Sequence, residues 1–322
     1  MTGALSIPDA VSGARVLAFG DYRPSRVVTN DELSKTVDTS DEWIRSRVGI
    51  AERRIAGDDE GIVELGVHAA GKALAGSGLA PSDIDLVILA TCSAESPMPG
   101  HAAQVAHRLG IEAPGAFDLN AACAGFCYAL ATASSAVRAG NARNVLVIGS
   151  EKMSQWVDWT DRSTCIIFAD GAGAAVVTAS DSPGIGPVVW GSAGEKYDKI
   201  IIPDRHSFIR QEGQAVFRWA TTEIAPVAAE ACERAGIRPE DLAAVVPHQA
   251  NLRIIEAIAR KLKATNAVVA DDIVRSGNTS AASIPLALSR MIERGDVPSG
   301  APALLVGFGA GLSYAAQVIQ IP

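Results

Sequence analysis

A cysteine at the head of a small-residue, apolar run is the first feature of this chain with chemical potential. In DLNAACAGFCYALATASSAVRAG, Asp118 to Gly140, Cys123 precedes a stretch of Ala, Gly, Ser and Leu that carries no charge until Arg138 and is closed by Gly140. Such a composition reads as a helix buried all round. A thiol at its N-terminus faces the positive end of the helix dipole and unpaired N–H groups, which should lower its pKa toward the nucleophilic thiolate. A buried cysteine can also simply pack, and this segment alone leaves both roles open. Cys127, one turn later among apolar neighbours, reads as packing. No second ligand pair stands at metal or disulfide spacing.

Three further places could do chemistry. His248 follows an apolar strand pattern, and Asn278 stands at the head of a second apolar run, AASIPLALSRMI. Each has an ordinary role open to it, the first as a satisfied core histidine and the second as an N-cap. VGFGAGLSY, 306 to 314, is Gly-rich after a buried strand. Its glycines would let backbone approach a substrate and offer N–H donors to an oxyanion, although a tight turn explains them too. Neither GFGAG nor DGAG meets the G-x-G-x-x-G or Walker A patterns, so a nucleotide-phosphate cradle is a poor fit. In DEWIRSR, opened by a capping box of Thr39 and Glu42, Trp43 and Arg47 could stack on and pair a nucleotide, or form an amphipathic surface turn.

The elements that must position these groups are written twice. SGLAPSDIDLVILA at 77 to 90 matches AGIRPEDLAAVVPH at 235 to 248, an offset of 236 − 78 = 158 residues. The same offset carries Asn120 onto Asn278, the helix after Cys123 onto AASIPLALSRMI, and the strand ending at Gly149 onto ALLVG ending at Gly307. We therefore expect two βαβ-rich halves, 1–182 and 183–322, each with a mostly parallel sheet and a central buried helix. The break falls in the turn-rich SDSPGIGP. Groups at strand ends and at the heads of paired central helices converge in such a frame, which would bring Cys123, His248 and Asn278 together. Residues 1 to 13 read as a loose lead-in, Asn30 as the cap of DELSKTV, and IIFADGAGAAVVTA as a Gly-centred pair of strands.

Composition sets bounds. With 322 residues, 48% hydrophobic and 20% charged, the chain can build a sizeable core. A net charge of −8 argues against nucleic acid or an anionic membrane as bulk partner. Five scattered cysteines fit a reducing, cytoplasmic setting. The first residues lack a basic n-region and a long apolar core, so no signal peptide is expected, and no apolar run is long enough for a membrane span.

NAACAGF around Cys123, PHQANLRII around His248, GNTSAASIPLAL around Asn278 and GFGAGLSY near the C-terminus together resemble β-ketoacyl-acyl-carrier-protein synthase III, as do DTSDEWIRSRVGIAERR and DRSTCIIFADGAGAA. The resemblance covers nearly the whole chain from about residue 14. It implies an α/β, thiolase-like fold of five layers, α-β-α-β-α, and a homodimer. Cys123 would attack an acyl-CoA primer, and malonyl-acyl-carrier protein would lose CO₂ while His248 and Asn278 steady the developing enolate. Backbone N–H groups of Cys123 and Ala310 would form the oxyanion hole; the family usually has glycine at the latter position. The resemblance further implies that Trp43, Arg47 and Arg162 hold the nucleotide end of CoA, with Asn251 near the pantetheine arm. Arg218, Arg253, Arg260 and Lys261 would dock the acidic carrier protein. Met98 would floor the partner's acyl pocket and admit branched or longer primers, as in the actinobacterial members that the chain most resembles. Gln211 and the surrounding EKYDKIIIPDRHSFIRQ depart from the pattern. No cofactor or metal is implied.

Other classes fit less well. Cys, His and Asn also occur in that order in papain-like proteases, but the C-G-S-C-W type signature is missing and the duplication has no place there. A starter-unit synthase of a polyketide pathway, or a plain acyltransferase on the same frame, is the nearer alternative. An inactive scaffold subunit would be expected to have lost Cys123 or His248.

Overall fold

The computed structural model describes residues 11–322; the expected loose lead-in falls almost wholly outside them. Two five-stranded sheets share one plan. In the first, Gly13–Tyr22, Asp170–Ser180, Asn144–Lys152, Leu86–Ala90 and Gly115–Leu119 lie side by side in that order. The second runs Val189–Ser192, Ser313–Gln320, Pro302–Gly309, Ala244–Pro247 and Val268–Val269. In both, the last three strands are parallel and the first two antiparallel. The inner strands are apolar without interruption because both faces are covered.

Three apolar cores separate the layers. Helix Ile62–Ser77 closes the outer face of the first sheet with Leu65 and Ala69 over Val87 and Ile148. Helices Gly213–Ala235 and Leu252–Leu262 close the second with Ile224 and Ile258 over Leu304. Between the sheets lie the helices Gly125–Arg138 and Ser283–Glu293, whose Phe126, Leu130 and Leu288 share a core with Val145, Val246 and Leu305. Each such side chain contributes about 1.5–3 kcal/mol by leaving water. The result is the five-layered α-β-α-β-α arrangement. A fourth cluster, including Ile44, Ile50, Ile166 and Phe168, anchors the excursion that carries Trp43. No helix among the described residues is long and apolar enough to cross a membrane.

Local expectations needed correction in three places. Ser40, not Thr39, caps Asp41–Val48, its Oγ accepting the Trp43 N–H at 3.1 Å. Thr29 caps the helix Asn30–Leu33, while Asn30 turns inward and donates to Asp41 and to the Ile50 carbonyl. The Gly-centred pair of strands is one strand, Asp170–Ser180. Its glycines serve close packing and not a turn: a Cβ on Gly173 would stand 2.4 Å from the Leu286 nitrogen.

Candidate active site

Cys123 sits in a single turn, Ala122–Ala124, ahead of the buried helix. Asn120 Oδ1 accepts the Ala122 N–H at 3.0 Å, and Ala122 adopts φ 46°, a strained region for a residue with a Cβ. The thiol faces its own N–H and that of Ala310. Glycine makes this approach possible, since a Cβ on Gly309 would lie 2.6 Å from Cys123 Cβ. Burial nevertheless pushes the thiol up to about 11, outweighing the Ser280 hydroxyl and the two N–H groups, and the buried Glu151 carboxylate adds to the rise. The expected lowering toward a resting thiolate is therefore reversed: loss of water around the sulfur exceeds what the helix end returns.

His248 follows the strand Ala244–Pro247 and is buried against the edge of Phe308, ring centroids 5.4 Å apart. Its backbone N–H donates to the Val306 carbonyl at 2.8 Å. Nδ1 lies 2.8 Å from Ser283 Oγ, which also accepts the Gln249 N–H at 3.3 Å. The Ser283 proton is thus free for Nδ1, leaving the imidazole proton on Nε2. Burial lowers the ring pKa to about 3, so it is neutral near pH 7. Asn278 is locked by backbone bonds to Ile167 and Ala169, and its Oδ1 accepts the Ser280 N–H at 2.9 Å. That leaves its amide N–H groups as donors.

Cys123, His248, Asn278 and Ala310 line one cavity of about 900 Å³ that opens past Trp43, Arg47, Asn251, Arg218 and Arg253. At the mouth, the Arg162 and Arg47 guanidinium carbons stand 4.7 and 5.5 Å from the Trp43 ring centroid. Arg162 is tied to the Asp38 carbonyl at 2.7 Å. Asn251 caps Leu252–Leu262 and donates to the Arg47 carbonyl at 3.1 Å, joining the two rim helices. Arg253 stacks on Phe217 at 5.2 Å. Arg260 and Lys261 are exposed on the same helix away from the cavity, and Met98, 81% exposed, also lies outside it. Sequence reasoning missed two contributions. The divergent segment supplies Ile200, Ile201, Ile202, Ile209 and Gln211 to the cavity wall, a role its run of isoleucines could have signalled. Cys92 and Ser280 also line the chamber, beside a buried glutamate whose charge at the end of an apolar strand was the available clue.

This fold and this chamber define a thiolase-like condensing enzyme of the acyltransferase class. The same fold occurs in a priming β-ketosynthase of a polyketide biosynthetic pathway, with TM-score 0.96, 45% identity and 99% of each chain covered. It also occurs in 3-oxoacyl-acyl-carrier-protein synthase III of Aquifex aeolicus, with TM-score 0.91, 43% identity, and 96% of this chain and 100% of that one covered. Sequence profiles of 3-oxoacyl-acyl-carrier-protein (ACP) synthase III and of its C-terminal region match residues 117–194 and 232–321. A β-ketoacyl-acyl-carrier-protein synthase III of Streptomyces coelicolor is 59% identical over 96% of this chain and 99% of its own. The mycobacterial synthase III of Mycobacterium avium is 49% identical over 95% of each. The chain belongs to the β-ketoacyl-acyl-carrier-protein synthase III family.

Proposed function

We propose that this enzyme condenses an acyl-CoA primer with malonyl-acyl-carrier protein and so initiates fatty-acid synthesis. The convergence of Cys123, His248 and Asn278 on one chamber carries the reading. Cys123 Sγ attacks the primer thioester and releases CoA. In the second half-reaction the neutral His248 donates from Nε2 and Asn278 from its amide to the thioester oxygen of the malonyl unit. Both strengthen as CO₂ leaves and negative charge gathers there. The carbanion then attacks the acyl-Cys123 carbonyl, whose oxygen rests on the N–H groups of Cys123 and Ala310. A neutral histidine suits this task because it needs only to donate.

Stacking on Trp43 between Arg47 and Arg162 suits the adenine and phosphates of CoA, and Asn251 lies along the path of the pantetheine arm. Arg218 and Arg253 at the rim, continued by Arg260 and Lys261, give an otherwise acidic protein a basic face for the carrier protein. A homodimer is the third element of the reading: the strand Gly115–Leu119 is an edge of its sheet among the described residues, its Phe117 is exposed, and so is Met98 in a preceding loop. An exposed Met98 fits a floor for the partner's acyl pocket. All five cysteines are unpaired, in keeping with the cytoplasm. We also read residues 1–182 and 183–322 as descendants of one duplicated unit.

A second reading, priming of a polyketide or other secondary pathway, is favoured by the similarity to the priming β-ketosynthase. Incubation with acetyl-, propionyl-, isobutyryl- and isovaleryl-CoA, followed by intact mass, tests the central step. One acyl adduct is expected, absent in Cys123→Ala and discharged by malonyl-acyl-carrier protein to a β-ketoacyl product. Acylation without condensation would mark a plain acyltransferase, and a carrier-protein preference for a secondary pathway would favour the second reading.

A further inference from the structure

Beside the nucleophile lies a cluster that these steps leave unused. Glu151 is fully buried at the end of Asn144–Lys152 and accepts from Thr91 Oγ1 and the Ser93 N–H at 3.0 Å, the Cys92 N–H at 3.1 Å and the Ala281 N–H at 3.3 Å. Ser93 Oγ donates to it as well, at 2.5 Å. Cys92 Sγ donates to Glu151 Oε1 at 3.3 Å and stands 3.3 Å from Ser280 Oγ. Ser280 Oγ in turn donates to Cys123 Sγ at 3.4 Å. Cys123, Ser280, Cys92 and Glu151 therefore stand in a row, each within hydrogen-bonding distance of the next. The two inner members of this row each hold one hydrogen and can accept another, so once the Ser280 hydroxyl turns its hydrogen from Cys123 to Cys92 a proton can pass along it without heavy atoms moving far. Ser280 keeps its place in this path with φ 48°, a conformation that serine adopts only where its surroundings impose it.

We propose that Glu151 is the base for the nucleophile, taking the Cys123 proton through Ser280 and Cys92 as the sulfur attacks. This rests on the condensing reaction above for the identity of the electrophile. In the first half-reaction three hydrogens each move one link, from Cys123 Sγ to Ser280 Oγ, from Ser280 Oγ to Cys92 Sγ, and from Cys92 Sγ to Glu151 Oε1. The Cys123 Sγ–acyl bond forms, the acyl–CoA sulfur bond breaks, and CoA leaves with the electron pair. In the second half-reaction Cys123 departs as a thiolate and the three hydrogens return, restoring thiol and carboxylate. One buried negative charge is moved between carboxylate and sulfur and none is created. This offsets the desolvation that holds the thiol protonated at rest. Burial raises Glu151 as well, which brings its protonated form within reach.

The deciding variants leave Glu151 in place. Single-turnover acylation by acyl-CoA, read by quenched intact mass, is expected to slow about a hundredfold in Cys92→Ala and Ser280→Ala. In Cys92→Ser, which keeps a hydroxyl link, it should stay close to wild type. Discharge of the preformed acyl-enzyme by malonyl-acyl-carrier protein should be unaffected, because carbon–carbon bond formation precedes proton return. Wild-type acylation by Cys92→Ala, or equal slowing by Cys92→Ser and Cys92→Ala, would overturn the relay. If the wild-type enzyme takes an acyl group from no CoA, the condensing reading fails instead. The relay is then read from iodoacetamide alkylation of Cys123 in the same variants: Cys92→Ser faster than Cys92→Ala supports it, and equal rates overturn it.

Discussion

The turns at Asn120–Cys123 and Asn278–Ala281, 158 positions apart, are the same piece of backbone used for different ends. In each, the asparagine Oδ1 accepts the N–H two residues on, at 3.0 and 2.9 Å. Each sets its third residue in the left-handed region, Ala122 at 46° and Ser280 at 48°, and each opens a buried helix. The first turn presents the proposed nucleophile, Cys123; the second presents the Asn278 amide to the chamber and the Ser280 hydroxyl to the Cys123 sulfur. The strands above them divide likewise. At matched positions stand Gly309, whose bare backbone admits Cys123, and Glu151, whose carboxylate takes the Ala281 N–H. Symmetry of the frame supplies two equivalent presentations, and the side chains make only one of them a nucleophile.

The sharpest break in this comparison is to move the thiol across it. In a Cys123→Ala, Ala281→Cys double variant we expect no acyl adduct by intact mass after incubation with acyl-CoA. Ala281 is 1% exposed, the Gly149 backbone presses on it, and its N–H is already engaged by Glu151. An adduct on residue 281 would show the two turns to be interchangeable. The next largest effect is expected at Gly309. A methyl there meets Cys123 Cβ at 2.6 Å and Sγ at 2.9 Å, so Gly309→Ala must push the turn away from its donors. Acylation should fall about a hundredfold, and the denaturant midpoint should report a loss of about 1–3 kcal/mol from overpacking.

A third prediction separates the halves by titration, because the position matching His248 is Ala90. With the folded pKa lowered to about 3 from 6.5, the unfolded chain binds the extra proton between those values. Stability from this group is complete above pH 6.5 and is lost on acidification at up to about 1.4 kcal/mol per pH unit until pH 3. Urea midpoints from pH 7.5 to 4.5 should show a slope that is shallower by this amount in His248→Gln. Identical slopes would place the histidine in a wetter site than its burial indicates.

The frame was legible in the sequence to an unusual degree because buried parallel strands and helix-leading asparagines leave strong marks at a fixed spacing. Leu86 and Ala244, Asn144 and Pro302, and Gly125 and Ser283 all keep the 158-residue offset, whereas the outer strands, starting at Gly115 and Val268, do not. The trio of Cys123, His248 and Asn278 followed from that frame. What stayed hidden depended on distance through space. Nothing in the order of residues tells that Glu151 ends beside Cys92 and Ser280, or that burial overrides the helix end in setting the Cys123 thiol. The caps at Thr39 and Asn30 were misread by one residue because adjacent Ser40 and Thr29 serve equally well by type, and only side-chain direction decides.

The smallest predicted effect lies at the mouth, where the halves differ most. The excursion bearing Trp43 belongs to the first half, and the helix bearing Asn251 and Arg253 to the second; the Asn251 bond to the Arg47 carbonyl joins them. Trp43 is flanked by Arg47 and Arg162 and is only half-buried, whereas Cys123 is buried, so its contacts should be the same in ground and transition states. Uniform binding of that kind lowers KM without raising kcat. Trp43→Ala is accordingly expected to raise KM for acyl-CoA about tenfold, with kcat unchanged. A short acyl-pantetheine thioester, which lacks the nucleotide, should be used equally by both proteins. If Trp43→Ala lowers kcat with this truncated substrate, the ring does more than grip the coenzyme. It would then help seat the helix Asp41–Val48, whose Ile44 and Val48 join the core beneath, and the mouth would be coupled to the chamber.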